Sequence, residues 1–425
     1  MPALEADKIF EEIMQELPEE IEKMAKEHKA LQRARKIKTI VQLLRIVMMY
    51  SGLDKSLRQI AGIISMLYEP ITDQSIKERL EGCTEWIKAS VGKMLGLEKM
   101  PTVEGRRICL VDATDISEPG GKKLLRLHVA MDLVSLKFLE IKLTDKHTAE
   151  SLKHYSFEKT DIVVADRGYC SADAIIEASK KVDTINRVNA NNLPLFDLQD
   201  NKIDLAEELK NQQSETTLTL PVKIKSKSGK ESISGYVHTY RLSQKDAQKA
   251  RERVLRKQQK NQTKNPQPNA LFLAEFVIVF TTIDIKEISG QSILAIYRCR
   301  WQIELAFKRW KSLLDFDLLR SKVNSPLAEL WLWGKLLYAL LLQQRADRIF
   351  SNNQQFFSHS NRLSSWSLWQ ALTDQLHFII SGVSFWPIHS WHLFLQFSSP
   401  RSRKRKLQSF PLVYHTEGIS YVLAA

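Results

Sequence analysis

Cysteine is scarce in this chain, with four in 425 residues. Cys83, Cys109, Cys170 and Cys299 show neither CxxC spacing nor neighbouring histidine pairs. Because a zinc site needs such groupings, the pattern argues against one. A few scattered cysteines are typical of a protein in the reducing cytosol, so we expect a cytoplasmic location.

The chain also lacks a recognisable signal peptide and a clear membrane span. Its start, "MPALEADKIFEEIM", is acidic where a signal peptide would have an apolar core. The most apolar later segment, "PLAELWLWGKLLYALLLQQR", contains Glu329 and Lys335. It is too short and too charged for a span, so we expect a buried helix and no membrane partner.

Acidic residues are outnumbered, with 49 Asp and Glu against 62 Lys and Arg and a formal net charge of +13. Such an excess favours a polyanionic partner, of which nucleic acid is the commonest. A hydrophobic content of 44% lets a chain of this length bury a substantial core. A disordered basic protein is therefore not expected.

Residues 1–98 carry helical patterns and are expected to form a helical DNA-binding domain. In "SLRQIAGIISMLYEPITDQSIKERLEG" an apolar helix stops before Pro70, and Thr72 or Asp73 can cap a second helix. Two short helices with a tight break resemble a helix-turn-helix, with a simple packing hairpin as the alternative. The second helix would then present these side chains to DNA: Gln74, Lys77, Glu78 and Arg79.

From Arg107 the sequence changes to strand-like runs. "RRICLVDAT", "KKLLRLHVAMDL" and "KFLEIKLTD" are joined by short turns, which suits antiparallel neighbours. A helical stretch from Thr148 to Tyr155 is predicted next, followed by the buried strand "DIVVAD", the helix "SADAIIEASKK" and the strand "VDTINRVN". The order βββαβαβ predicts an α/β fold with a mixed sheet.

Residues 191–270 interrupt this pattern with polar sequence and short alternating runs, which indicates a β-rich insertion. Between Lys245 and Lys264, eight Lys and Arg stand against two acids. This basic arm is either a solvated, flexible segment or a segment that grips DNA phosphates, because neutralised phosphates release counterions. The run "LFLAEFVIVFTTI" (Leu271–Ile283) then predicts a return to strand.

The C-terminal region is expected to be helical and is a candidate for dimerisation. It contains a second basic patch, "RSRKRK", at residues 401–406. Four tryptophans lie in its Ser-rich sequence: Trp366, Trp369, Trp386 and Trp391.

Three acids far apart in the chain are candidates for a shared site. Asp112 and Asp166 come at or near the ends of apolar strands, where α/β sheets expose charged groups, and Glu304 lies in "YRCRWQIELAFKRWK". Singly, each is more commonly a surface or capping residue. Together they offer oxygen ligands, which suit Mg²⁺ or Mn²⁺. Two such ions can promote displacement at a phosphodiester.

The segment from Tyr297 to Lys311 is predicted to be one helix. At about 100° per residue, with Tyr297 at 0°, Arg300, Glu304 and Lys311 fall between about 300° and 340°. This polar stripe borders an apolar face formed by Ile296, Ile303, Phe307, Trp310 and Leu314. A solvated salt-bridge face would give the same residues.

The spacing Tyr297-x2-Arg300-x3-Glu304-x6-Lys311 resembles the YREK signature of bacterial insertion-sequence DDE transposases of the insertion-sequence-four type. "VDAT" at Asp112 and "ADRGY" at Asp166 resemble the other two motifs of that family. The resemblance covers roughly residues 105–315. It implies a ribonuclease-H-like core with an inserted β-rich segment.

By this resemblance, Asp112, Asp166 and Glu304 would be catalytic and would bind two Mg²⁺ or Mn²⁺ ions. Tyr297, Arg300 and Lys311 would hold DNA phosphates, a role that suits charged and hydroxyl donors. The partners would be the terminal inverted repeats of a transposon and target DNA, bound by a homodimer.

Several assignments stay open at the level of sequence. Asp115 and Asp161 are alternatives to Asp112 and Asp166, which are preferred for their positions in the strands. Trp301 falls beside the polar stripe, where it either stacks on a displaced base or packs against the insertion. His147 is near the motifs, but a lone loop histidine is more often structural.

We therefore predict five segments: a helical DNA-binding domain (1–98), the first part of the catalytic core (99–190), the insertion (191–270), the second part of the core (271–322) and the C-terminal region (323–425). The predicted function is cut-and-paste DNA transposition by a bacterial enzyme that is nucleoid-associated when bound. The alternatives are a stand-alone ribonuclease-H-like nuclease and a non-catalytic repressor derived from a transposase.

Overall fold

The computed structural model describes residues 2–95, 105–189, 192–260, 268–352 and 365–382. These residues form two compact units. One unit contains residues 2–95, 114–126, 306–352 and 365–382, and the other contains 105–113, 127–189, 192–260 and 268–305. The basic patch at 401–406, Trp386 and Trp391 lie outside the described residues.

The first unit is mainly helical, as predicted for both ends of the chain. Its N-terminal helices are α1 (Pro2–Met14), α2 (Ile21–Glu27), α3 (Ile40–Ser51), α4 (Leu57–Leu67), α5 (Asp73–Glu81) and α6 (Thr84–Leu95). Near the other end lie α13 (Pro326–Asn352) and α14 (Ser365–Ser381). The apolar segment at α13 packs against α3 and α6, which confirms the prediction of a buried helix.

The predicted helix pair is present at α4 and α5. Ser56 and Gln59 form a capping box at the start of α4. The Thr72 side chain accepts a hydrogen bond from the backbone N–H of Ser75 and so caps α5. The two helices pack against each other, as a helix-turn-helix requires.

Buried charge inside the helical unit is paired. Lys335 on α13 is fully buried and forms an ion pair with Asp54, which also accepts a hydrogen bond from the indole N–H of Trp331 at 2.7 Å. A buried charge without a partner would strongly destabilise the fold. No helix in the described parts of the chain is long and apolar enough to cross a bilayer.

A nine-stranded mixed sheet follows the N-terminal helices. Its strands are β1 (Ile108–Ser117), β2 (Lys123–Asp132), β3 (Phe138–Asp145), β4 (Ile162–Ala165), β5 (Asp183–Arg187), β6 (Leu195–Phe196), β7 (Thr217–Lys225), β8 (Ser232–Arg241) and β9 (Phe276–Thr281). The order is β3-β2-β1-β4-β5-β9-β8-β7-β6.

The first five strands form the predicted ribonuclease-H-like arrangement. Short connections join β1 to β2 and β2 to β3, and β1, β4 and β5 run in parallel. Helix α7 (Ala172–Ser179) links β4 to β5, and the short helix α8 (Leu205–Leu209) lies between β6 and β7. The mixed α/β fold class is confirmed.

The insertion does not form a separate sheet. Strands β7 and β8 make a long antiparallel hairpin, and β8 pairs with β9, which in turn pairs with β5. The inserted strands therefore extend the central sheet. One apolar core runs beneath them, from Ile175 and Ile176 on α7 to Val222 and Phe280 on the strands.

Two local predictions are wrong. The helix expected over Thr148–Tyr155 is only a short 3₁₀ turn at Leu152–His154, because the side chains of Asp145 and Ser151 bond to nearby backbone N–H groups and favour turns. The expected strand at Leu271 begins at Phe276, after helix α10 (Pro268–Leu273). The basic arm, for which the sequence left a flexible and a phosphate-gripping segment open, forms helix α9 (Gln244–Lys260) in its described part.

Candidate functional site

Asp112 and Asp166 lie side by side because of the strand register. In the parallel pair β1–β4, Val111 is opposite Ala165, and each aspartate is the next residue along its chain. Asp112 lies within β1, whereas Asp166 follows β4 and precedes a 3₁₀ turn at Arg167–Tyr169. The prediction that each aspartate comes at or near a strand end therefore holds for Asp166 and is wrong for Asp112, because β1 continues to Ser117; the register nevertheless brings the two carboxylates together.

Glu304 lies on the second of two consecutive helices, α11 (Gly290–Cys299) and α12 (Trp301–Leu314). The prediction of one continuous helix from Tyr297 to Lys311 is wrong: α11 ends before Arg300, and α12 begins after it. At the junction the Arg300 N–H bonds to Tyr297 and the Ile303 N–H to Arg300, a tighter i−3 pattern that breaks the helix. The apolar face is buried as predicted.

The guanidinium of Arg300 links the three acids. Its Nη1 lies 3.7 Å from an oxygen of Asp112, its Nη2 lies 3.8 Å from an oxygen of Asp166, and it also hydrogen-bonds to Glu304. We call Asp112, Asp166 and Glu304 the carboxylate cluster. Its side chains are 18%, 41% and 30% exposed respectively, whereas Arg300 is 10% exposed.

The two aspartates differ electrostatically. Burial raises the pKa of Asp112 to about 7. Arg300 acts to lower this pKa, but the neighbouring carboxylates Glu304 and Asp166 raise it and so offset part of that effect. Burial also acts on Asp166, but Arg300, a backbone N–H and the Tyr297 hydroxyl together hold its pKa below the ordinary value. The cluster therefore concentrates negative charge that a further cation would stabilise.

Tyr297 and Arg187 complete the polar wall around Asp166. The buried Tyr297 donates a hydrogen bond from its hydroxyl to Asp166 Oδ1 at 3.1 Å. The guanidinium of Arg187, the last residue of β5, lies 5.9 Å from the centre of the Tyr297 ring and lowers the pKa of Asp166. Sequence reasoning missed Arg187, although its place at the end of a strand parallel to β4 was a usable signal.

A second missed feature is a pair of buried tyrosines beneath the cluster. Tyr169, in the turn that follows Asp166, lies 2.9 Å from Tyr155, hydroxyl to hydroxyl. Tyr155 in turn donates a hydrogen bond to the backbone carbonyl of Asp112 at 3.3 Å. Both rings belong to the apolar core that includes Val111 and Ala165. The pair therefore ties the two aspartate-bearing segments together.

The alternative acids are engaged elsewhere. Asp115 bonds to Lys123 and Arg126, each at 3.0 Å. Asp161 is fully buried and accepts two hydrogen bonds from Arg107, at 2.8 and 2.9 Å. These are structural ion pairs, and they leave the preferred aspartates as the ones that share Arg300.

The remaining candidates lie apart from these contacts. Trp301 begins α12 and is 45% exposed, while Trp310 is buried in the core as predicted. Lys311 lies two turns beyond Glu304 on α12, in the portion of the helix that belongs to the helical unit. His147 is exposed in the loop after β3.

The donor set can be tested for a metal. Among the described residues, no group of three or more His, Cys, Asp and Glu is arranged to hold an ion, because the cluster is spaced around Arg300. However, the donors are all hard oxygens, which suit Mg²⁺ and Mn²⁺. The chemistry of the site therefore fits a divalent cation.

Comparison with known proteins agrees with the resemblance of the motifs to DDE transposases. The family model described as "Transposase DDE domain" matches residues 104–341. The putative transposase InsL for insertion sequence element IS186A of Escherichia coli K12 is 31% identical over 336 residues, covering 76% of this chain and 90% of that protein.

Two further relatives carry similar names. The transposase for insertion sequence element IS421 of Escherichia coli is 31% identical over 337 residues, again 76% of this chain and 90% of that protein. The transposase for IS231F of Bacillus thuringiensis subsp. israelensis is 29% identical over 102 residues, 24% of this chain and 21% of that protein. Members of this family generally use divalent metal ions. With the fold, the motifs and these matches together, the chain belongs to the DDE transposase family.

Proposed function

We propose that this protein is a cut-and-paste DNA transposase, which cleaves DNA at the ends of an insertion sequence and joins those ends to target DNA. The observation that carries the proposal is the carboxylate cluster: three acids separated by up to 192 positions, all in reach of one guanidinium. The positive net charge and the names of the relatives support DNA as the substrate.

Asp112, Asp166 and Glu304 are the catalytic residues of this proposal and would hold two Mg²⁺ or Mn²⁺ ions. Such ions, when bound, activate the attacking oxygen and stabilise the leaving oxygen. The role of the chain is to bring three carboxylates together on rigid elements, with Arg300 offsetting their repulsion before the ions arrive.

The DNA chemistry consists of two displacements at phosphorus. Water first attacks at the element's end, so that a new P–O bond forms, the bond to the 3′ oxygen breaks and a 3′-hydroxyl is freed. That hydroxyl then attacks a phosphodiester of the opposite strand or of the target, so that its oxygen bonds to phosphorus while the bond from that phosphorus to its own 3′ oxygen breaks, and this oxygen leaves as a new 3′-hydroxyl. Tyr297, Arg300 and Lys311 would hold phosphates in place during both steps.

Trp301 would contribute an aromatic face. An exposed tryptophan at the start of α12, three residues before Glu304, can stack on a base that has left the duplex. The proposal also assigns end recognition to the helical domain at residues 1–98, with α5 in the groove, and dimerisation to the C-terminal region. The enzyme would act in the bacterial cytoplasm, on the nucleoid, as a homodimer that synapses two ends.

The direct test uses purified protein, DNA that carries the element's terminal inverted repeats, a target plasmid and Mg²⁺. We expect strand breaks with 3′-hydroxyls at the ends, followed by joined end–target products. Cleavage without joining would instead indicate a ribonuclease-H-like nuclease. Specific binding with no cleavage in Mg²⁺ or Mn²⁺ would indicate a non-catalytic repressor.

Lys311→Gln is expected to weaken DNA binding at all sequences. The slope of log K against log salt is negative, and each phosphate contact that is lost reduces its magnitude by about 0.9. This variant should therefore flatten the slope by about one. The measurement is a salt titration of binding by fluorescence anisotropy. Lys286→Gln, at an exposed loop lysine, is the control and should keep the slope. An unchanged slope for Lys311→Gln would remove it from the phosphate contacts.

Tyr155→Phe is expected to raise the Mg²⁺ concentration needed for half-maximal cleavage several-fold. It breaks the link between Asp112 and Tyr169 and leaves the buried Tyr169 hydroxyl without this partner, at a cost of about 1–3 kcal/mol. Tyr169→Phe keeps the bond to Asp112 and should have a smaller effect.

The controls separate positioning from general destabilisation. Tyr240→Phe removes a hydroxyl from β8, four strands away from β1 in the sheet. It should change neither the Mg²⁺ concentration needed for cleavage nor the thermal stability. If the Mg²⁺ requirement of all three variants rose only in proportion to their loss of thermal stability, the tyrosine pair would have a purely structural role.

A further inference from the structure

Helix α9 presents a straight row of five cations. The row consists of Lys245, Lys249, Arg253, Arg256 and Lys260, and all five side chains are exposed. At about 100° per residue their directions fall within a stripe about 80° wide that runs the length of the helix. We call these residues the basic row.

The opposite face of α9 fixes the direction of the row. Ala247 is buried, Val254 is half-buried, and Arg251 forms an ion pair with Glu275, the residue that precedes β9. On the same helical count these three side chains lie about 140° to 160° from the centre of the basic row. Because that face packs against its own unit, the basic row faces solvent.

Neighbouring acids neutralise the basic row only in part. Asp246 lies 3.0 Å from Lys249, and Glu252 lies 3.6 Å from Arg256. Both are exposed pairs on one helix, which contribute a few tenths of a kcal/mol and are screened by salt. Lys245, Arg253 and Lys260 form no ion pair among the described residues, although Lys245 also helps to lower the pKa of the adjacent Asp246.

The arrangement costs helix stability. Lys245 and Lys249, Lys249 and Arg253, and Arg256 and Lys260 are like charges four residues apart, and such pairs destabilise a helix. A local conflict of this kind is expected where a ligand resolves it. The ligand must be an extended polyanion, because the row continues over about four turns.

We propose that the basic row binds the phosphate backbone of duplex DNA, an inference that rests on the proposed function. The row is about 22 Å long, which corresponds to about 7 base pairs of B-DNA. Because α9 contains no aromatic residue, base stacking is not available to it. The row therefore strengthens DNA binding without reading sequence.

The test compares two full-length variants with wild type. In the first, the five cations of the basic row are changed to glutamine, which keeps helix propensity. In the matched control, five exposed lysines of the same unit are changed to glutamine: Lys180, Lys181, Lys210, Lys227 and Lys230. Both variants lower the formal net charge of +13 by five. Circular dichroism and thermal melting verify folding.

Binding is measured over a range of salt concentrations in EDTA, with end-containing and random duplexes. We expect the basic-row variant to flatten the log–log salt slope by about 2 to 4 and to lose affinity for both duplexes by the same factor. The control should keep its slope. An unchanged slope, an equal change in the control, or loss confined to end-containing DNA would overturn the inference.

The measurement needs no cleavage, so the two proposals fail separately. Wild-type protein that binds DNA but never cleaves it contradicts the proposed function and leaves the basic row testable. Wild-type protein that cleaves, together with an unchanged slope in the basic-row variant, contradicts only the inference on α9.

Discussion

Replacing Asp112, Asp166 or Glu304 with alanine should lower the rate of Mg²⁺-dependent cleavage by at least about a thousandfold. Each variant removes an oxygen ligand from the carboxylate cluster. An ion that is mispositioned as a result stabilises the transition state less, which raises the activation free energy of cleavage by several kcal/mol. Binding of end-containing DNA should stay within a few-fold of wild type, since the net charge becomes more positive. Gel assays of cleavage and anisotropy in EDTA measure the two quantities.

Asp115→Asn is the matched control for this series. Asp115 lies three residues beyond Asp112 on β1, but its contacts are with Lys123 and Arg126. Its variant should cleave at close to the wild-type rate. A cluster variant that cleaves normally would show that its carboxylate is not catalytic, and inactivity of Asp115→Asn with intact folding would reopen the choice between the two aspartates.

Arg300→Ala should lower the unfolding free energy by about 3 kcal/mol in EDTA. The variant removes the cation shared by three partly buried acids, and removing one partner of a buried ion pair is strongly destabilising. Mg²⁺ should then stabilise the variant more than it stabilises wild type, because the ion no longer competes with the guanidinium. Thermal melting with and without Mg²⁺ measures both effects.

Cleavage by Arg300→Ala should still be impaired. The proposed phosphate contact is lost even when Mg²⁺ restores stability, so stability and activity separate in this variant. Arg298→Ala is the control, since Arg298 lies on the exposed side of α11. Equal Mg²⁺ stabilisation of wild type and Arg300→Ala would show that the guanidinium does not compete with the ion.

Local sequence patterns were sufficient for the first five strands of the sheet. The apolar runs before Asp112 and Asp166 predicted the two buried strands, although β1 continues beyond Asp112, and the parallel pairing of Val111 with Ala165 places the two aspartates together. The interruption by a β-rich segment was also predictable. That its strands join the same sheet through β9 was not, because strand pairing across such a distance leaves no local signal.

The polar surroundings of the cluster needed the structure. Periodicity placed Tyr297, Arg300 and Glu304 on one face, but it could not detect the change to i−3 bonding that separates α11 from α12. Tyr155 and Arg187 come from a loop and a strand end, and only the tertiary fold brings them to the aspartates. The basic arm is helical because Ala247 and Arg251 anchor one face, a contact that composition does not reveal.

The long hairpin of β7 and β8 has a practical consequence for protein engineering. Its tip, at residues 227–231, is exposed and contains Gly229 with a φ of 70°, while β8 behind it pairs with β9. Exposed, glycine-containing tips are good places to insert foreign sequence. A fluorescent or affinity module spliced there would leave both chain ends unmodified and would report the enzyme's whereabouts in living cells.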